Sequence, residues 1–158
     1  MFKCGDKVLY PLQGAGIVEK IETKDNGFGL RPFYVVNLIL SGIKVSVPVM
    51  TAKQSGLRSV LSADEMTAAI SEFSSLTVEE EPNWNKRCRK NLELLREGDV
   101  FKTAAVYGDL YKRNNVKLLS SGERKIFLSA RHMLITEIML SCGVEKAEAE
   151  ARLLKTVE

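Results

Sequence analysis

The sequence has little of what disulfide bonding, metal binding or membrane insertion would require. Its 158 residues include three cysteines, one histidine and four prolines. Cys4, Cys88 and Cys142 are an odd number at wide spacing with no Cys-x-x-Cys pair, which argues against a disulfide framework and for reduced thiols. His132 has no second ligand of suitable type three or four residues away, so a zinc site has almost nothing to build on. The longest apolar runs, Val35 to Leu40 and Met133 to Leu140, are short or broken by Thr136 and Glu137. Both fall well below the roughly 18 apolar residues that a spanning helix needs. Asp6 and Lys7 stand where an export signal would need its apolar stretch, so a cytoplasmic protein with no membrane partner is expected. There is no Gly-rich phosphate loop, no Ser/Cys–His arrangement and no metal cluster. An enzyme, a cofactor and a small-molecule substrate are therefore not expected.

What is present is an ordinary globular composition, 45% hydrophobic and 27% charged, on a chain long enough for one domain or two small ones. The net charge of +3 hides a segregation along the chain. Residues 1–60 carry eight bases and four acids, and residues 61–82 carry six acids and no base. From Trp84 to Arg131 there are twelve bases against five acids, a local +7. Such an excess is the footprint of a polyanion-binding surface, and also what a solvated helical face looks like.

The first fifty residues read as strands. Lys7 to Tyr10, Gly16 to Thr23, Phe33 to Leu40 and Ile43 to Val49 are rich in Val, Ile, Leu and Tyr and are bounded by turn residues. Ser41-Gly42 and Asn26-Gly27 predict tight hairpins. Four or five short strands in so few residues predict a small antiparallel β-barrel. After Arg58 the pattern becomes helical. Ser62 to Glu65 is a capping box opening a helix to about Ser74, and Leu76 to Pro82 reads as an acidic linker. Asn83 and Gly98 bracket a helix over Trp84 to Glu97, and Asp99 caps one to about Asn114. Ser120 to Glu123 is a second capping box, opening a long helix that stops at Gly143, and a short helix closes the chain.

The segment Asn83 to Lys90 places the only tryptophan at a helix start among four bases. One reading makes Trp84 a hydrophobic anchor packed on the preceding linker. The other notes that bases at a helix N-terminus oppose the helix dipole, so an anion compensates them, and the free N–H groups there favour phosphates. An exposed aromatic beside phosphate-binding bases can stack on an unpaired base or wedge into a groove.

The chain resembles the CarD/CdnL family of bacterial transcription regulators. The resemblance rests on Phe2 to Pro11 with Gly14 and Gly16, Ile21-Glu22, Val47-Pro48-Val49 and Gly56-Leu57-Arg58. In the second half it rests on Trp84-Asn85-Lys86-Arg87, Gly98-Asp99, Asp109 to Arg113, and Leu119 to Arg124. The N-terminal part is also similar to the polymerase-interacting module of the transcription-repair coupling factor. The fold implied is α+β, with an SH3/Tudor-like barrel over residues 1–58 followed by an all-α domain over residues 59–158.

By that resemblance the barrel docks on the β subunit lobe of RNA polymerase, through Lys24, Lys44, Val45, Ser46 and Val47. The helical half binds promoter DNA at the upstream edge of the bubble, with Trp84 as a minor-groove wedge. Lys86, Arg87, Arg89, Lys90, Arg124 and Lys125 are the expected phosphate contacts. Gln13 stands where the family often has histidine, and Ser46 where some members carry a polymerase-contacting arginine. The competing expectation is an adaptor that binds polymerase while its helical half contacts another protein.

Overall fold

The computed structural model describes residues 1–158. Strands β1 (Lys7–Tyr10), β2 (Gly14–Asp25), β3 (Leu30–Leu38), β4 (Lys44–Pro48) and β5 (Arg58–Ser59) precede five helices. These are α1 (Ala63–Phe73), α2 (Trp84–Glu97), α3 (Val100–Val116), α4 (Ser121–Cys142) and α5 (Lys146–Leu154). The expected α+β architecture with a Tudor-like N-terminal part is what the chain adopts. All sheet pairings are antiparallel, in the order β4-β3-β2-β1-β5, so β4 and β5 are edge strands. No single helix is long and apolar enough to cross a membrane.

Both hairpins differ from expectation. β2 and β3 run on to Asp25 and Leu30, joined by Asn26 to Gly29 with Gly27 and Gly29 at positive φ. β3 and β4 are joined by five residues, Ile39 to Ile43, and not by Ser41-Gly42 alone. Only Gly42 there is left-handed, whereas a two-residue type I′ link needs two such residues. The Ile39 N–H continues the β2–β3 ladder one pair past Leu38, to the Ala15 carbonyl (3.2 Å), while the Gly42 N–H bonds the Leu38 carbonyl (2.9 Å) and closes the β3–β4 turn.

The helix boundaries follow their caps. Ser62 and Glu65 close a complete capping box on α1. Ser120 accepts only half of one, from the Glu123 N–H (3.3 Å). The reciprocal bond is absent because the Glu123 carboxylate is taken by Arg87 on α2 (2.5 Å).

The two halves share a core. Leu9 and Ala15 of the sheet pack in the same cluster as Met66, Leu95, Leu110 and Met133 of the helices. Thr136 and Glu137, which interrupt the apolar run of α4, are the polar link between the halves. The Ala15 N–H donates to Thr136 Oγ1 (2.9 Å). Glu137, only 2% exposed, receives Arg58 of β5 through two bonds of 2.7 and 2.8 Å, and also the Leu61 N–H (3.0 Å). Arg58 Nε donates to the Gly98 carbonyl at the end of α2 (2.6 Å). One guanidinium–carboxylate pair therefore joins the sheet, α2, the entry to α1 and α4. At Gly14 (φ +104°) the approach of α4 is so close that an added Cβ would meet His132 Cδ2 at 2.8 Å.

Candidate nucleic-acid interface

The N-terminus of α2 is built from local chemistry. Asn83 Oδ1 accepts the N–H groups of Asn85 (3.0 Å) and Lys86 (3.2 Å), which fixes where the helix starts and sets Trp84 as its first residue. Trp84 is 53% exposed, among the large hydrophobic side chains left to solvent. The cap has a further consequence, because the N–H groups it engages are no longer free for a phosphate. Of the first N–H groups of the helix, those of Asn85 and Lys86 are thus spent on the cap.

The expected bases fall into distinct groups. Arg87 is 13% exposed and committed within the protein, to Glu123 (2.5 Å) and to the Glu81 carbonyl (3.0 Å). It ties α2 to α4, whose first turn lies so close that a Cβ on Gly122 would touch Cys88 Sγ at 3.7 Å. Burial pushes the Cys88 thiol up, away from reactivity. Lys90 is shared between Glu81 (3.4 Å) and Glu79 (3.9 Å) of the acidic linker. Glu81 is held below the usual carboxylate range, first by the Asn83 N–H and then by Lys90. Part of the negative charge expected beside these bases thus comes from the chain's own glutamates.

Lys86, Arg89, Arg124 and Lys125 are exposed and make no ion pair. At about 100° per residue, Lys86, Arg89 and Lys90 lie roughly 140–240° around α2 from Trp84, on its outer side. Arg124 and Lys125 sit on the first turn of α4, beside the Arg87–Glu123 pair. The structure thus brings the two helix starts together but spreads their free cations over two sides.

The sequence reading missed three of the cations that line a cleft with Trp84. A cleft of about 640 Å³ is lined by Trp84, Lys112, Val116, Lys117 and Leu118, together with Arg87, Arg113 and Glu123. Lys112 and Lys117 are exposed and unpaired. Arg113 is engaged by Asp109 (2.8 Å) and Glu80 (3.5 Å), and the Asp109 hydrogen bond holds its guanidinium more firmly protonated. Their location at the C-terminal end of α3 was visible, but its proximity to the start of α2 was not.

On the sheet, the expected contact residues gather around edge strand β4. Lys24 Nζ donates to Ser46 Oγ (2.7 Å) and pairs with Glu22 (3.0 Å), while Lys44 pairs with Glu19 (3.1 Å). The Leu38 N–H bonds the Ile43 carbonyl (2.9 Å), and bonded and non-bonded positions alternate along an antiparallel pair. In the observed register, Val36↔Val45 and Tyr34↔Val47, this turns the backbone groups of Val45 and Val47 toward β3. Those of Lys44 and Ser46 face outward. Val47 is fully buried, so what the edge offers a partner strand is the backbone of Lys44 and Ser46.

A Tudor-like sheet with a free edge, fused to a helical domain whose surface is cationic around an exposed aromatic, is the form of a bipartite binding protein. Residues 2–61 match the CarD-like/TRCF RID domain, and residues 68–154 match the C-terminal domain of CarD. The chain belongs to the CarD family. It is also similar to "Putative transcription factor YdeB" of Bacillus subtilis (strain 168), with 26% identity over 151 residues covering 96% of this chain and 99% of that protein. These families are of transcription-regulator type, and the matches support a transcription-related, RNA polymerase-interacting protein.

Proposed function

We propose that the protein holds RNA polymerase through edge strand β4, on the lobe of the β subunit, and stabilises the promoter open complex with its helical half. Trp84 acts as a wedge at the upstream edge of the bubble. The observation that carries this reading is a half-exposed tryptophan at a firmly capped helix start, beside a cleft whose lysines have no partner. Unstacking a base step costs a few kcal/mol and aromatic stacking returns about 1–3 kcal/mol, so one tryptophan roughly breaks even on intact duplex. At a junction that polymerase has already opened, the same stacking is a net gain for the open state.

Tethering supplies the rest. A small basic surface binds DNA non-specifically with a dissociation constant on the order of 10⁻⁴ to 10⁻⁶ M. Attachment to polymerase raises its effective concentration toward roughly millimolar, provided that the geometry reaches the DNA. The Arg58–Glu137 link fixes the sheet and the helices relative to each other, which suits that requirement.

The adaptor reading draws on the exposed Val116 and Leu118, which could equally meet a protein. Binding to a forked promoter fragment separates the two. If about four of the free cations reach phosphates, log K should fall against log salt with a slope near −0.9 × 4, roughly −3.6. Replacing Arg89 and Arg124 with glutamate should weaken binding on every sequence and flatten that slope, with polymerase binding unchanged. No measurable binding to the fork would favour the adaptor.

Strand pairing at β4 has its own test. Ser46→Pro removes an outward N–H without touching a bond to β3, so the sheet should persist. Retention of the polymerase β lobe in a pull-down should fall by about two- to tenfold. Val45→Pro, which breaks an inward bond, should instead disrupt the edge itself. Full retention by Ser46→Pro would exclude main-chain pairing there.

A further inference from the structure

The connection between α3 and α4 has features the DNA-binding reading does not use. Val116 is 90% exposed and Leu118 is 80% exposed, although both are apolar and the segment is well held. The Lys117 N–H bonds the Arg113 carbonyl (2.9 Å), the Leu119 N–H bonds Asn114 Oδ1 (3.3 Å), and Ser120 caps α4. Lys117 itself is extended (φ −150°, ψ 136°), which carries the chain out of α3 and away from the core. Two apolar side chains, one on the last residue of α3 and one on the loop after it, are therefore held in water along the same cleft as Trp84.

The charge of that cleft selects an occupant. Its one carboxylate, Glu123, is consumed by Arg87, and Arg113 is satisfied by Asp109 and Glu80. Lys112 and Lys117 are left as free cations between apolar surfaces. A flat aromatic, apolar walls and point cations match one nucleotide: base on the ring, sugar on aliphatic carbon, phosphates on ammonium groups. The volume, about 640 Å³, exceeds what a lone intercalating ring would use and falls within the usual range of small-ligand sites.

We propose that the Val116–Leu118 segment, the end of α3 and the start of the loop after it, is the second wall of a site for one unpaired nucleotide at the fork. Trp84 faces the base, Leu118 and Val116 pack on the deoxyribose, and Lys112 and Lys117 hold the flanking phosphates. This rests on the DNA-binding reading above and deepens it. Duplex DNA cannot occupy the cleft in this way, because its bases are paired and its sugars lie outside the stack. The loop therefore adds selectivity for a fork over a blunt duplex, which phosphate contacts alone do not provide.

The test compares full-length Leu118→Ser, Val116→Ser, Lys117→Ala and Trp84→Ala for binding to a forked fragment and to a blunt duplex of the same sequence. All four positions are exposed, so the unfolding midpoints should match the native protein's. Leu118→Ser and Val116→Ser should each weaken fork binding by roughly three- to tenfold, leaving blunt-duplex binding and the salt slope unchanged. Lys117→Ala should flatten the slope on the fork by about 0.9. If Trp84→Ala weakens fork binding and neither loop variant does, the second wall is wrong and the tryptophan reading stands. If none of the variants alters DNA binding, both fall. If the loop variants spare fork binding and reduce affinity for polymerase without DNA, the loop is a protein contact and the proposal is overturned.

Discussion

Trp84→Ala is expected to leave the fold and polymerase binding intact while shortening the lifetime of the open complex by about 5- to 150-fold. The range is the 1–3 kcal/mol of a lost aromatic–base stack expressed as a ratio. Stability should hardly change, because the indole is 53% exposed and the helix start depends on Asn83, not on Trp84. Competitor challenge of preformed open complexes gives the lifetime, and circular dichroism gives the unfolding midpoint. A midpoint lowered by roughly 5 °C or more would correspond to over 1 kcal/mol in a chain of this size. That outcome would assign Trp84 to packing against the linker.

Arg58→Ala should produce the largest loss of stability of any substitution considered. It leaves the Glu137 carboxylate, 2% exposed, with only the Leu61 N–H as a partner, and strands the Gly98 carbonyl. Breaking a buried pair from one side costs about 3–5 kcal/mol, most of it the desolvation of the charge left behind. At roughly 2–4 °C per kcal/mol, the midpoint should fall by about 6–20 °C. Replacing both partners, Arg58→Met with Glu137→Leu, should recover much of the loss, since no buried charge remains. Recovery should be incomplete, because the Leu61 N–H and the Gly98 carbonyl still lack partners. If Arg58→Ala is as stable as the native protein, the pair is not what joins the halves. With a stable but loosened double variant, polymerase binding should persist while open-complex stabilisation declines, because the face proposed to contact DNA is no longer held at one angle to the sheet.

Helix starts, and the residues that are candidates for contact, can be read from the chain alone. Ser62 with Glu65, Asn83 with Gly98, and Asp99 each act on a backbone group within a few residues, so their consequences are written in consecutive positions. The order of strands then helices and the family resemblance were legible for the same reason, whereas the sequence left Trp84 open between packing and contact, and the structure shows it exposed. Loop lengths were less legible, because a Ser-Gly or Asn-Gly pair permits a tight turn without requiring one. The β3–β4 turn closes through the Gly42 N–H on the Leu38 carbonyl, a longer loop that the Ser-Gly pair alone does not specify.

Which charged residues are free depends on how the elements pack. Arg87 looks like its neighbours in sequence but meets Glu123 36 positions away, and that meeting also deprives the second capping box of its carboxylate. Thr136 and Glu137 read as interruptions in a hydrophobic helix until Ala15 and Arg58, 121 and 79 positions away, supply their partners. Lys112 and Lys117 join Trp84 only because the end of α3 packs beside the starts of α2 and α4. A cap acts over one helical turn and is fixed by covalent neighbourhood. An ion pair or a cleft depends on how separate elements pack, and packing is set by the whole apolar core rather than by any one segment of the chain.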